Sequence, residues 1–331
     1  MIPYRPPAVD LRFLGVPPGT TEAGPQGVGE DDNPIIPVAF IPPKISVASA
    51  GLLDDGSVDV RDLTAALVML AVRGAIKLSQ GKTQSAADEP MLSATLVDAT
   101  LAEANHEKNL LTSVFGTTDP GRQVQLAGPS GLATTFDQLR RDLLDEASQA
   151  GWYAQMPENG WRGQRSALGR AYEDQVAGFR DYLTTAEADQ IKFEEGQDIF
   201  SQYLPWAVIF GVADRWTKIC AQLVKDGKLP ALSPVWYSGE QTQWDVARLL
   251  DSLTVMERHT SAAYESSEYQ APSSTGSSGS STSSWLNSWS SSGTGFGAGS
   301  AFGGFHSSGG FSGGGGGFSG GGGGGGGARS W

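Results

Sequence analysis

Asp59–Ser79 reads DVRDLTAALVMLAVRGAIKLS, and the fold turns on how this stretch is understood. Asp59 offers a carboxylate to the free N–H groups of a helix start, with Asp62 three residues on to complete a capping box. Val58 and Leu63 stand on either side of that cap, spaced as a hydrophobic staple. Leu63, Leu67 and Leu70 recur at helical spacing, and Ala66 and Ala71 widen the apolar stripe. Arg73 falls in the last turn, where a cation meets the negative end of the helix. Gly74 supplies a left-handed C-cap, and Ala75–Ser79 then alternates as a strand does. Helix, glycine and strand in this order are the grammar of a recognition helix running into the wing of a winged-helix domain.

Working outward, Met1–Pro43 carries proline at a density that forbids a long helix. It reads as an extended stalk, with Ile35–Ile41 able to pair as an edge strand because Pro37 costs it one donor. Ile45–Leu53 reads as a short first helix, closed by Asp54–Asp55–Gly56. Gln80–Pro90 is a polar tip and Met91–Val97 a second wing strand. Thr100 with Glu103 has capping-box spacing for a helix ending near Phe115–Gly116. Gln123–Ala127 alternates as a strand, and Thr135 with Gln138 opens a helix with Leu139, Leu143, Leu144 and Ala147 inward. Gly151 ends it before Trp152–Tyr153, an echo of Gly74–Ile76.

Met156–Arg165 breaks the pattern and reads as a surface connection. Leu168, Tyr172, Val176, Phe179 and Leu183 then mark an amphipathic helix. Thr184 and Glu187 cap another, closed by Gly196. Asp198 starts a third, IFSQYLPWAVIFG, interrupted by Pro205. Ala213, Trp216, Cys220 and Leu223 form the stripe of a fourth, and Gln243–His259 is one more. The expected class is α+β: a proline-rich stalk over 1–43, a winged-helix-like domain over 44–155, a helical region over 156–264, and a disordered Gly/Ser-rich tail over 265–331.

The charge is divided unevenly. Arg329 is the one charged residue from Ala271 to Trp331, so the rest holds all 36 acidic and 22 of the 23 basic residues, a net of −14. Such a surface is repelled by phosphate backbones, which disfavours nucleic acid as a partner. With Cys220 as its one cysteine, the chain forms no internal disulfide, which suits a reducing compartment. No leader follows Met1, and no run reaches the roughly 18 apolar residues of a membrane-spanning helix, so the chain as given is expected to be soluble.

No nucleophile–base pair or metal-ligand spacing emerges. Cys220 lies on a buried stripe, and His106, His259 and His306 are isolated. The expectation is therefore no catalysis, no cofactor and no metal. Tyr203, Trp206 and Phe210 flank Pro205, either as a docking groove or as aromatics packed round a bent helix; the second reading is favoured about four to one. In the tail, Trp285, Trp289, Phe296, Phe302, Phe305, Phe311, Phe318 and Trp331 are spaced through glycine and serine. Aromatics so spaced can act as weak, multivalent adhesive points and drive self-association; the alternative is an inert spacer.

Three stretches together, VRDLTAALVMLAVRGAIKL, FSQYLPWAVIFGVADRW and the terminal GGFSGGGGGGGGARSW, resemble the YciQ-like family of predicted bacterial membrane proteins, known as a domain of unknown function. The opening LRFLGVPPGT is similar to the segment that follows a membrane helix in that family. The resemblance implies a cytoplasmic C-terminal region at the cell membrane. The expected role is an interaction or scaffold module, meeting protein partners through the acidic folded surface or the aromatic tail. It also implies membrane helices outside this chain, and a pair of them where NGWRGQRSALG stands here. The alternative is a nucleic-acid-binding winged helix, which the acidic charge disfavours.

Overall fold

The capping box expected at Asp59 opens the central helix of the structure, a computed structural model. It describes residues 9–22, 24–28, 35–80, 91–126, 132–158, 160–185, 198–229, 234–238 and 246–269. In chain order these form β1 (Leu11–Phe13), β2 (Gln26–Val28), α1 (Val47–Asp55), α2 (Val60–Val72), β3 (Ile76–Gln80) and β4 (Leu92–Leu96). Next come α3 (Asn105–Phe115), β5 (Gln123–Gln125), α4 (Ala133–Gln149), β6 (Tyr153–Gln155) and β7 (Gln164–Arg165). Then follow α5 (Ala167–Thr185), α6 (Ile199–Ile209), α7 (Ala213–Lys225), β8 (Tyr237–Ser238) and α8 (Val246–Tyr269). This is a mixed α+β architecture.

In α2 the Asp59 carboxylate accepts from the Arg61 N–H, and Asp62 reaches back to the Asp59 N–H at 2.7 Å. Ten of the thirteen residues of α2 are buried, far more than one apolar stripe requires. The other faces are covered by α1, α6 and α8. Gly51 of α1 lies where a Cβ would stand 1.9 Å from the Asp62 carboxylate, so α1 approaches α2 only because that residue has no side chain. Asp62 is 3% exposed, and burial, reinforced by the charge of Asp59, pushes its carboxyl well above the usual range. It accepts the Asp59 N–H from inside the core.

At the end of α2 the Ala75 N–H donates to Leu70 and the Gly74 N–H to Ala71, a Schellman motif with Gly74 left-handed at φ +86°. Arg73 is turned away from the carbonyls of its own helix. Its guanidinium forks onto Glu107 at 2.8 Å, with Glu103 at 3.2 Å. The chain then enters the sheet, whose order is β5-β4-β3-β8. β3 and β4 pair antiparallel from Ile76↔Leu96 to Gln80↔Leu92, and β5 joins β4 antiparallel. Ile76, Leu78, Leu92, Ala94 and Leu96 point into the core, as period-two alternation requires. β8 pairs with β3 in parallel through Leu78↔Tyr237, from a region that reads only as polar in the sequence.

Several expected boundaries are corrected. Residues 35–39 form no strand; the N-terminal pairing is β1 with β2. Thr100 and Glu103 do not cap α3. Asp98 caps a short 3-10 turn at Ala99–Leu101, and Glu107 caps α3 by accepting from the backbone of Glu103 and Ala104. α4 starts at Ala133, so Thr135 lies inside its first turn, bonded to Ser113. Thr184 lies inside α5, its hydroxyl returned to the Arg180 carbonyl; the helix expected over Thr184–Gly196 falls mostly outside the described residues. The polar tip at 81–90 and the tail from 270 also lie outside them, while residues 265–269, expected as tail, continue α8.

Met156–Arg165 is the end of a hairpin in which β6 pairs with β7, so helix, glycine and hairpin follow α4 as they follow α2. α2 packs along α6, and α1 packs along α5, within one continuous hydrophobic core. Leu67 and Leu70 sit at its centre with no exposed surface. Leu67→Ala or Leu70→Ala is expected to cost about 2–5 kcal/mol in urea unfolding. A loss below about 1 kcal/mol for both variants would contradict this packing.

Candidate functional site

Asp198 opens α6 by accepting from the Ser201 N–H, and Pro205 sits inside that helix. Tyr203, Trp206 and Phe210 project from it toward α5. There the fully buried Phe179 stands at ring-centroid distances of 5.2 Å from Tyr203, 5.5 Å from Trp206 and 6.4 Å from Phe210. Trp206 is only 3% exposed. The trio is brought together chiefly as packed core, with edge-on ring contacts that suit aromatic quadrupoles. The eight tail aromatics, Trp285 through Trp331, lie outside the described residues.

One flank of this cluster stays open. A cleft of about 990 Å³ is walled by Phe40, Ile41, Met69, Val72, Tyr203 and Trp206. Arg73, Glu103 and Glu107 line its polar side, and Gln202 is exposed along it. The walls are apolar, and Arg73 is already committed to the two glutamates. Phe40 stacks edge-on against Tyr182 at 5.3 Å, and its carbonyl accepts from the Tyr203 hydroxyl at 3.2 Å. Burial pushes the Tyr182 phenol up to about 12 and raises that of Tyr203. Burial likewise pushes the Cys220 thiol, without exposed surface, up to about 12, so it stays an unreactive thiol at neutral pH.

A second polar focus was not legible in the sequence. Arg165, 1% exposed, donates through its backbone N–H to Asp10 at 2.8 Å and through its guanidinium to Asp10 at 3.0 Å. The same guanidinium donates to the backbone carbonyls of Leu53, at 2.9 Å from Nε, and Asp54, at 3.1 Å. Arg170 reaches Asp10, Glu173 and Asp174, and Arg12 binds Asp174 at 2.9 Å. Burial raises the Glu173 carboxyl despite Arg170 and Arg165. A smaller pocket of about 470 Å³ opens between the β1–β2 turn and α5, but Arg12, Arg170 and Asp174 on its wall are spent on one another. The spacing of Arg170 to Asp174 is visible in the sequence; the pairing of Arg165 with a residue 155 positions away is not.

On α3 the buried His106 ring holds Glu146 at 2.6 Å from Nδ1, and its backbone N–H donates to the same carboxylate. Burial alone would raise the Glu146 carboxyl, but the hydrogen bonds and charge of His106 hold it below the usual range. Among the described residues, no three His, Cys, Asp or Glu side chains stand together as metal ligands. None of their helices is long and apolar enough to cross a membrane.

Residues 159–219 match the family model described as the C-terminal domain of a predicted membrane protein (DUF2207). The matched span holds Arg165, Phe179 and the aromatic trio, that is, the α5–α6 core with one partner of the buried ion pair. The match supports membrane association of the full-length protein. No curated protein and no solved structure matches the chain.

Two expectations follow. Removing one partner of a buried pair leaves an uncompensated charge, so Arg165→Met should cost about 3–5 kcal/mol. Adding Asp10→Asn should then recover part of that loss in a double-mutant cycle; strict additivity would refute the coupling. Glu257 of α8 faces Thr64 at α2, and burial pushes its carboxyl from an ordinary 4.5 up to about 7, against the Thr64 hydrogen bond and the charge of Arg61. A raised carboxyl binds its proton more tightly in the folded state. Stability therefore declines as pH rises from about 4.5 to about 7 and levels off above. Glu257→Gln should stabilise the protein above about pH 7 by on the order of 1–3 kcal/mol and change little below the ordinary glutamate range. Melting curves at the two ends of this range check it.

Proposed function

We propose that this chain is a non-catalytic interaction or scaffold module of a membrane protein, set at the cytoplasmic face of a bacterial membrane and akin to the YciQ-like proteins. The observation that carries the reading is the open apolar cleft, one wall of which, Ile199, Gln202, Tyr203 and Trp206, lies in the span that matches a membrane-protein domain. A cleft of that size, with aromatic walls and a short charged rim, suits an apolar protein segment. Tyr203 and Trp206 would form its floor, and Phe210 supports them from behind. The spaced aromatics of the tail, from Trp285 to Trp331, add weak self-association in this reading.

The competing reading, a nucleic-acid-binding winged helix, is weaker on two counts. The helix that would enter a groove is α2, and it is buried by its neighbours. Its flanking cations are engaged, Arg61 with the Ile209 carbonyl and with Asp59, Arg73 with Glu107 and Glu103. Net charge opposes duplex binding as well.

Gln202→Arg places bulk and charge in the cleft without touching the core. Crosslinking in membranes should recover a protein partner with the unsubstituted chain and reduce that recovery at least about tenfold with Gln202→Arg. Equal recovery from both would rule out the cleft. Micromolar duplex DNA binding that weakens with salt would favour the competing reading instead.

A further inference from the structure

Residues 35–46 cross α5 and α6 as an extended strap held by its backbone. The Ala39 N–H donates to the Gly178 carbonyl at 3.0 Å, and the Phe40 carbonyl accepts from Tyr203. The Pro37 carbonyl passes so close to α5 that a Cβ at Gly178 would stand 2.4 Å from it. The strap is thus seated, yet it turns large apolar side chains outward. Ile35 is 93% exposed, Val38 47%, Phe40 65% and Ile41 76%. Clustered exposure of this kind on a fixed segment marks a contact surface.

The local charge narrows the partner. From Asn33 to Leu53 the one charged residue is Lys44, in a chain of net charge −13. Acidic surface is repelled by anionic headgroups, and this segment is free of it. Backbone pairing with a partner strand is disfavoured, because Pro37, Pro42 and Pro43 offer no N–H. What remains is an irregular row of apolar side chains beside a lysine, which a lipid interface accepts without directional demands.

We propose that the strap is a bilayer-contact element. Ile35, Val38, Phe40 and Ile41 enter the boundary between headgroups and acyl chains, and Lys44 sits at the level of the phosphates. The ligand is a phospholipid surface, contacted peripherally. The match of residues 159–219 to a domain of a predicted membrane protein puts such a surface within reach. The inference needs no protein partner, although Phe40, Ile41 and Lys44 also line the cleft; Ile35 and Val38 lie outside it.

The test is flotation of the full chain with phosphatidylcholine vesicles, with and without phosphatidylglycerol. The chain should float with both and stay bound in high salt, because insertion is apolar. Ile35→Ser with Ile41→Ser should lower the bound fraction at least about tenfold, in proportion to the apolar area withdrawn. Both side chains are largely exposed, so the melting temperature should not move; Phe40→Ser, which also loses the Tyr182 contact, is a second variant. A chain whose eight tail Trp and Phe residues are replaced by serine should float like the parent. Failure of the parent to float would overturn the proposal. So would equal flotation of the strap variants, or loss of flotation in the tail variant alone, which would move the lipid contact to the tail. Strap substitutions that dissociate a dimer without changing flotation would assign the patch to a second copy and overturn it too.

Discussion

A helix buried on nearly every side cannot be stable by itself in water, and α2 is such a helix. Its apolar residues extend well beyond one stripe, so its burial has to be supplied by several elements at once. α1 reaches it through the close approach at Gly51, α6 lies along it, and α8 crosses it from the C-terminal end. The sheet grows directly from its Schellman cap. α1 near the start of the chain and α8, the last described element, therefore close a single core around α2, and the family-matched α5–α6 segment is part of that closure.

Apolar burial alone does not account for the strands at the periphery. β1, β2, β6 and β7 are two or three residues long, too short to hold themselves. Tyr153 anchors β6 in the core, and charge holds β1 and β7. Asp10, just before β1, takes both the backbone N–H and the guanidinium of Arg165, which ends β7, while Arg165 also satisfies two carbonyls at the end of α1. Arg12 and Asp174 pin β1 to α5 in the same way. A buried pair of this kind adds little net stability over an apolar substitute, but it penalises every other register by leaving a charge unpaired.

Legibility followed the range of the interactions. The Asp59 cap, the Gly74 and Gly151 C-caps and the Asp198 cap are local and were read correctly, because each involves residues a few positions apart. The wrong capping boxes, Thr100 with Glu103 and Thr135 with Gln138, had the right spacing. They lost to competitors that spacing cannot rank: Asp98 and Glu107 in one case, a helix already begun at Ala133 in the other. Ile35–Ile41 has strand composition, but its prolines and its seat on α5 leave it unpaired with any strand among the described residues. β8 and the Asp10–Arg165 pair depend on long-range closure and leave no local pattern. In the cleft, Tyr203 and Trp206 were singled out as aromatics beside Pro205; that they share a wall with Met69, Val72 and Ile41 follows only from the packing of α6 on α2.

The titratable groups of the core and the open surfaces differ in their chemistry. The buried titratable groups are shifted by burial or paired: Cys220 and Tyr182 are held up near 12, the Asp62 carboxyl is raised where it accepts inside a cap, and Arg165 binds Asp10 and carbonyls. None of these lines the large cleft, where Arg73, Glu103 and Glu107 are bound to each other and Lys44 stands on the strap. The exposed chemistry is of another kind, an apolar strap with one lysine and an apolar cleft beside it, on a body that is otherwise acidic. Such a body resists nonspecific adhesion through its charge, so contact is confined to the few surfaces where charge is missing. If the strap meets a bilayer as proposed, that confinement would fix both the face presented and the orientation in which the body docks.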